Sequence, residues 1–205
     1  MQVVADSTTC RALAIAEWLP QVVDLLGRPL AVVPAVSNRN ATGTCEIEQR
    51  IRRCEQEIAA LNSGSADYSR RMHELVTLGA FLRAGPELVD PVDLTAHETR
   101  TAIGLAAPDA AWRSNRSLPK APFGAGEAES IAVALSRGLV FATDDRAARN
   151  ACRALGGSGT RWTADLVADL VDAALITENE AAFRWEQLRT RHRFRVPTWD
   201  QARRP

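Results

Sequence analysis

The sequence predicts an α/β fold, a three-layer α/β/α sandwich around a central parallel sheet. Short, continuous apolar runs at 2–5, 30–36 and 139–143 alternate with longer stretches in which apolar residues recur at helical spacing. Strands that helices cover on both faces are apolar throughout, and this alternation is typical of parallel sheets. The chain has 205 residues, 46% of them hydrophobic, which is enough to build one large core.

Charge and composition exclude several classes of protein. With 25 basic and 25 acidic residues, the formal net charge is +0, so the chain cannot coat nucleic acid through bulk charge. Its four cysteines form no C-x-x-C pair and lie far from the three histidines, so we expect small core residues rather than a structural zinc site. Neither a signal-peptide pattern nor an apolar run of membrane-spanning length is present. We therefore expect a cytoplasmic protein without membrane contact.

The first elements are a strand over 2–5 and a helix that follows it. The strand ends at Asp6, and Asp6 with the hydroxyls after it is suited to capping a helix that begins near Cys10 and runs to Pro20. A second helical piece ends at Gly27. The apolar, β-branched run over 30–36 then predicts the second strand.

Residues 46–84 predict a helical hairpin inserted between strands. Apolar residues from Ile47 to Leu61 recur at spacings of four, three, four and three, which is typical of an amphipathic helix. A turn at 62–65 separates it from a second helix over 66–82. Two interpretations stay open: the hairpin forms a homodimer face or grips a partner, or it is a plain structural insertion.

The second half of the chain continues the alternation. A short strand near 87–89 and a helix ending near Ala107 precede a polar loop over 108–126. A helix over 127–137, a strand over 139–143 and helices over 146–155, 163–175 and 178–191 complete the pattern. We assign residues 1–177 to one domain and 178–205 to a C-terminal helix and basic tail.

Acidic residues stand at the ends of several predicted elements. They are Asp6, Glu127, Glu129, Asp144 and Asp145. The carboxyl ends of parallel strands share one edge, where ligands bind, so we expect these acids to meet there. Gathered carboxylates repel one another unless a cation lies among them, and hard oxygen ligands select Mg²⁺ or Mn²⁺. The chemistry this predicts is metal-dependent hydrolysis of a phosphodiester. Taken singly, each acid is better explained as a helix cap than as a metal ligand.

Spacing separates the roles within this group. Residues two apart on a helix point about 200° away from each other, so Glu127 and Glu129 cannot both face the site, and one belongs to the cap. Adjacent strand residues face opposite sides, so Asp144 and Asp145 should divide between ligand and cap. Three hydroxyls, on Ser7, Thr8 and Thr143, are placed to bond a carboxylate or a metal-bound water, and those of Ser7 and Thr143 are also candidates for substrate contact.

The motifs resemble those of the PIN-domain nucleases. One branch of that family carries Gly-Glu-x-Glu-x-Ile and Thr-Asp-Asp-x-x-Ala-Arg, which stand here at 126–131 and 143–149. The opening run at 3–8 looks like the family's first motif, and 32–34 looks like its second strand. The stretch 159–177 is similar to the end of the same branch. The resemblance covers residues 1–36 and about 85–177.

This resemblance implies an α/β/α fold, Mg²⁺- or Mn²⁺-dependent cleavage of RNA, and service as the toxin of a type II toxin–antitoxin pair of the VapC kind. Its motifs assign catalysis and metal binding to Asp6, Glu129 and Asp145, with Asp144 and Glu127 as the additional acids. The family also places a glutamate after the second strand, where a polar stretch intervenes here. Glu46 is the candidate for that role and Glu48 its competitor. The alternative function is a PIN-like binding or scaffold protein with little or no turnover.

A nuclease also needs cations for the phosphate backbone. Arg146 and Arg149 follow the second acidic motif, and Arg113, Arg116 and Lys120 lie in the loop before Glu127. Trp112 stacks on an unpaired base or packs beneath the loop. The arginine-rich stretch over 184–204 either meets RNA or an acidic antitoxin, or is a solvated helix and frayed tail. His192, within this stretch, is expected at the surface.

Overall fold

A five-stranded, entirely parallel sheet forms the centre of the molecule. The computed structural model describes residues 1–37, 45–107, 118 and 123–203. The strand order is β3-β2-β1-β4-β5, with β1 at Val3–Ala5, β2 at Leu30–Val32, β3 at Val89–Pro91, β4 at Val140–Ala142 and β5 at Thr160–Arg161. The predicted α/β class with a parallel sheet is confirmed.

The first strand lies in the middle of the sheet, between the second and the fourth. Val4 is opposite Ala31 on one side and Phe141 on the other, and all three are fully buried. The backbone N–H of Asp6 continues the ladder, donating to the carbonyl of Ala142 (3.1 Å). Because the chain crosses to opposite sides of β1, a crevice opens at its carboxyl end, where ligands bind in sheets of this kind.

Helices pack around this sheet. In chain order, they are α1 (Ser7–Ile15), α2 (Leu19–Leu26), α3 (Pro34–Ser37), α4 (Glu46–Ala59), α5 (Ala66–Leu82), α6 (Ala96–Ala106), α7 (Ala125–Arg137), α8 (Arg146–Ala154), α9 (Thr163–Asp172), α10 (Glu178–Glu186) and α11 (Trp199–Ala202). All four cysteines are buried, which confirms their prediction as core residues. The described residues include no helix whose length and apolarity would let it cross a membrane.

Several element ends differ from the sequence prediction. The second strand stops at Val32 rather than at residue 36, because Pro34 begins the short helix α3, a position that suits proline. Helix α1 begins at Ser7 rather than near Cys10, because Asp6 caps it. It ends at Ile15, two residues before Glu17 takes a positive φ of 56°. Strand β5 was not predicted, since two half-buried residues carry no periodic signal.

The predicted hairpin exists as α4 and α5, and a buried carboxylate ties it to α1. Glu74 of α5 is fully buried. It accepts hydrogen bonds from Arg11 of α1 (2.8 Å), Arg50 of α4 (2.7 Å) and Arg71 of its own helix (2.9 Å). Three guanidinium groups on one buried carboxylate tie three helices together, and loss of the carboxylate would leave Arg11 and Arg50 without their counter-charge.

The C-terminal residues pack against the core. Trp185 and Trp199 are buried, with ring centroids 5.6 Å apart. Phe194 is also buried, and the guanidinium of Arg11 stands 4.3 Å from its ring centroid. Over the described residues to 203, the expectation of a frayed tail is therefore wrong. The expectation of a surface His192 is wrong too, because this residue is 3% exposed; a π-helix over Gln187–Arg191 leads into it and turns it inward.

Candidate functional site

Asp6 lies at the centre of the candidate site, at the end of β1 and completely buried. Its Oδ1 accepts a hydrogen bond from the backbone N–H of Thr9 (2.9 Å), which caps α1, and its Oδ2 accepts one from the Thr143 hydroxyl (2.6 Å). Burial raises the pKa of Asp6 to about 7, and the charges of Asp144 and Glu127 add to that rise. The hydrogen bonds from Thr143 and Thr9 act in the opposite direction and lower the pKa of Asp6.

Thr143 joins Asp6 to the second acidic motif. Its hydroxyl donates to Asp6 and accepts from the backbone N–H of Asp145 (3.0 Å). Thr143 is fully buried, so this bridge excludes solvent. A single hydroxyl group therefore links the Asp6 carboxylate to the backbone of Asp145. The parallel topology places these two neighbouring strand ends side by side.

The side chains of Asp144 and Asp145 point in different directions, and both accept hydrogen bonds from backbone N–H groups. Asp145 is exposed and caps α8 through Oδ1, which accepts from the N–H groups of Ala147 and Ala148. Both oxygens of Asp144 are taken by Thr163, at the start of α9: one by its N–H (2.9 Å) and one by its hydroxyl (2.8 Å). Burial raises the pKa of Asp144. Asp145 is thus the member of the pair that faces solvent.

Glu127 and Glu129 also diverge, as their spacing requires. Glu127 closes the first turn of α7, its Oε2 accepting from the N–H of Gly124 (3.1 Å). Glu129 reaches the end of the second strand, where its Oε2 accepts from the N–H of Ala35 in α3 (2.8 Å). Burial raises the pKa of both glutamates.

Glu46, the first residue of α4, completes the group. Its Oε1 accepts from the backbone N–H of Gly126 (2.9 Å). A Cβ atom on Gly126 would stand 2.7 Å from Oε2 of Glu46 and 2.9 Å from a methyl of Val36, so this approach needs glycine at 126. Of the two glutamates that the sequence left open, Glu46 is the one that reaches α7.

These side chains form one electrostatic unit, which we call the acidic cluster: Asp6, Glu46, Glu127, Glu129, Asp144 and Asp145. After burial, the charges of Asp145 and Glu46 raise the pKa of Glu127, and the charge of Glu46 raises that of Glu129. The charge of Glu127 acts in turn on Asp6. Mutual repulsion of this kind is what a cation relieves.

Hydrogen bonding divides the acidic cluster into closed and open carboxylates. Asp6 and Asp144 use both oxygens. Four others each bond backbone through one oxygen and have no hydrogen bond to the second from any described residue: Glu46, Glu127, Glu129 and Asp145. Backbone bonds thus orient these four side chains, and each retains an acceptor oxygen that no described residue occupies.

The open carboxylates fit Mg²⁺ or Mn²⁺ by chemistry. Hard carboxylate oxygens are the ligands these ions prefer. Over the described residues, no three His, Cys, Asp or Glu side chains are grouped to hold one ion. Mg²⁺ in phosphate-processing sites is commonly bound by one or two carboxylates, with water and phosphate oxygens filling the other positions. The open set suits that mode rather than an all-protein cage.

The cations predicted to bind substrate have different surroundings. Arg146 is exposed beside Asp145. Arg149 donates to the carbonyl of Thr143 (2.6 Å) and its guanidinium lies 5.7 Å from the ring centroid of Trp162, so it braces the strand end. Ser7 is half-buried at the start of α1. Arg113, Arg116, Lys120 and Trp112 lie outside the described residues.

Sequence reasoning missed three contributors to this site. Thr163 anchors Asp144, the N–H of Ala35 anchors Glu129, and Gly126 admits Glu46. Thr163 carried a usable signal, a hydroxyl at a helix start. Backbone N–H groups and a missing Cβ carry none, because their effect depends on which element packs above them. Neither family models, nor curated protein sequences, nor solved structures match this chain.

Proposed function

We propose that this protein is a metal-dependent endoribonuclease that hydrolyses RNA phosphodiester bonds at the acidic cluster. The observation that carries the proposal is that acids from four separate stretches of the chain raise one another's pKa values near the carboxyl edge of a parallel sheet. Burying several carboxylates together costs free energy of folding, and a catalytic site is where such a cost is commonly retained. Separate helix caps would not require the acids to converge.

One or two of the open carboxylates, drawn from Asp145, Glu127, Glu129 and Glu46, would hold the cation, because no three acidic side chains of the described residues are grouped to hold one ion. When bound, Mg²⁺ or Mn²⁺ supplies positive charge that polarises a phosphate oxygen and lowers the pKa of a coordinated water. Asp6 and Thr143 position these carboxylates and do not contact the cation. Through the Thr143 hydroxyl, the buried Asp6 fixes the turn that presents Asp145 to solvent.

Arg146 is our candidate for contact with the RNA backbone, because it is exposed next to Asp145 and no described residue occupies its guanidinium. Arginine binds phosphate in a bidentate manner and so positions the substrate. Arg149 is a positioning residue in this proposal, since its hydrogen bond to Thr143 holds the carboxyl end of β4.

A PIN-like, three-layer α/β/α architecture is part of the same proposal, and it rests on the motifs at 126–131 and 143–149. The toxin role and an antitoxin partner rest on that resemblance as well. A short adjacent reading frame with a DNA-binding pattern is the genomic observation expected for an antitoxin. The hairpin of α4 and α5 and the basic stretch over 184–204 are the surfaces that such a partner would meet.

One observation favours a second candidate function, a PIN-like binding protein without turnover. Asp6 is completely buried and both of its oxygens are occupied, so it reaches neither solvent nor substrate directly. Metal-independent capture of a protein partner, with no cleavage of RNA, is the behaviour expected of that candidate.

Cleavage of single-stranded RNA in Mn²⁺ buffer tests the proposal. The full chain should cut a mixed-sequence RNA, and EDTA should stop it. Asp145→Asn should lower the rate at least a hundredfold, because it removes an open carboxylate while an asparagine still caps α8. Asp24→Asn, an exposed aspartate on α2, is the matched control and should cut at the parent rate. Equal rates for the Asp145→Asn protein and the parent would refute the proposal.

A further inference from the structure

A cavity lies at the end of α1 opposite to Asp6. It has a volume of about 400 Å³, within the range of small-molecule sites. It is lined by Ile15 at the end of α1, by the two residues that follow it, by His73 of α5 and by residues between Phe183 and His192. Helix α1 has nine residues, so its ends are about 13 Å apart at 1.5 Å per residue. The acidic cluster and this cavity are therefore separate sites.

Local backbone around this cavity is unusual at two points. Glu17 takes a positive φ of 56°, which costs free energy in a residue that is not glycine. The π-helix Gln187–Arg191 forms the opposite wall, and π segments are frequent at functional sites. The cavity is thus bounded by backbone that an ordinary helix end would not adopt.

His192 gives the cavity a polar group without a protein partner. It is 3% exposed, and its Nδ1 is buried with no hydrogen bond to any described residue. Burial lowers the pKa of His192 to about 4, with the charge of His73 adding to the effect, so the ring is neutral at pH 7. A buried lone pair without a donor costs less than a buried N–H without an acceptor. The favoured tautomer therefore carries its proton on Nε2, the nitrogen that protein does not enclose.

The remaining lining groups are mostly donors and apolar surface. Arg191 is exposed, and Gln187 adds an amide. Glu17 is the lining acid, and its nearest cation is Arg184 (3.5 Å), which also bonds the carbonyl of Ala16. Among the described residues, the Arg191 guanidinium and Nε2 of His192 have no acceptor, whereas the Glu17 carboxylate already faces Arg184. The Phe183 ring, 65% exposed, offers a flat apolar surface at the same place.

We propose that this cavity binds a small organic anion that carries an aromatic ring. Its ring would lie against Phe183 and the buried Leu188, since aromatic rings stack favourably. Its anionic group would accept hydrogen bonds from Arg191 and from Nε2 of His192, because charge-assisted bonds are the stronger kind. This proposal is independent of nuclease activity.

A fluorescence titration with 8-anilinonaphthalene-1-sulfonate, an aromatic sulfonate, tests the proposal on the full chain. We expect saturable binding of one molecule per chain. Phe183→Ala and Arg191→Gln should each weaken binding at least tenfold; both side chains are exposed, so the fold is retained. Arg53→Gln, an exposed arginine of α4, and Val76→Ala, an exposed apolar residue of α5, are the matched controls and should change the dissociation constant less than twofold.

Two further comparisons separate an anion site from a merely apolar surface. The uncharged analogue N-phenyl-1-naphthylamine should bind at least tenfold more weakly than the sulfonate. His192→Gln, whose amide places a donor near the position of Nε2, should bind within threefold of the parent. No saturable binding, pocket variants equal to the parent, or equal affinity for the uncharged analogue would each overturn the proposal.

Discussion

At the scale of single residues, a missing side chain decides whether the acidic cluster is complete. Gly126 has no Cβ, and this lets Glu46 approach α7 closely enough to bond its first turn. The neighbouring Gly124 is less constrained, since a Cβ there would stand 3.5 Å from the nearest oxygen of Glu46, an ordinary contact. Two glycines two residues apart therefore give a matched pair of variants.

Gly126→Ala should lower the rate of RNA cleavage at least tenfold while the protein stays folded. Alanine favours a helix interior over glycine by about 1 kcal/mol, but its methyl group displaces the Glu46 carboxylate. Gly124→Ala should cut RNA at close to the parent rate. The measurement is the initial cleavage rate in Mn²⁺ buffer, with circular dichroism for folding. Equal loss of activity in both variants would contradict this assignment of Gly126.

The ionised form of the buried Asp6 destabilises the folded protein. The pKa of Asp6 is about 7 in the folded protein against an ordinary value of 3.8, so the folded state binds the proton more tightly than the unfolded state. Stability contributed by this group is present below about pH 4 and is lost as the pH rises through 7.

Asp6→Asn should therefore stabilise the protein at pH 8 relative to the parent, on the order of 2 kcal/mol, and change its stability little at pH 4. Asparagine still caps α1. Urea unfolding at both pH values, with EDTA present, measures this difference. A stability difference that is the same at pH 4 and pH 8 would show that Asp6 is not the group responsible.

At the scale of elements, the hairpin is positioned by charge rather than by apolar packing alone. Burial opposes the ionisation of Glu74, but the hydrogen bonds and charges of Arg50 and Arg11 outweigh it and hold its pKa at about 2. The carboxylate is charged wherever the protein is folded at ordinary pH. Because α4 begins with Glu46, this anchor also sets the position of one member of the acidic cluster.

Glu74→Gln should lower the free energy of unfolding by about 3–5 kcal/mol at pH 7, since it leaves the partly buried Arg11 and Arg50 without their counter-charge. The stabilisation by Glu74 is present above about pH 4.5 and is lost as the pH falls toward 2. The variant should accordingly lose less stability than the parent between pH 5 and pH 3. Urea unfolding measures this, and Glu55→Gln, on the exposed side of α4, is the control. A parent and a Glu74→Gln protein of equal stability at pH 7 would refute this role.

At the scale of the whole molecule, the sheet topology could be predicted from the sequence, but the packing of the C-terminal residues against the core could not. Continuous apolar runs predicted the central strands because both faces are covered, and a parallel sheet then required Asp6 and Asp145 to be neighbours. The burial of Trp199 and Phe194 escaped prediction because arginines and turns separate them without a helical period. Arg149 follows the motif as a substrate cation would, yet it bonds backbone, and spacing does not distinguish these roles.

Calorimetric titration with Mn²⁺ at pH 7.5 tests most directly whether the acidic cluster is a cation site. The parent protein should bind Mn²⁺ saturably, and Asp145→Asn should weaken that binding at least tenfold, because an amide oxygen is a poorer ligand than a carboxylate. Asp24→Asn should bind as the parent does. Undetectable binding to the parent, or equal affinity for the parent and the Asp145→Asn protein, would contradict the account.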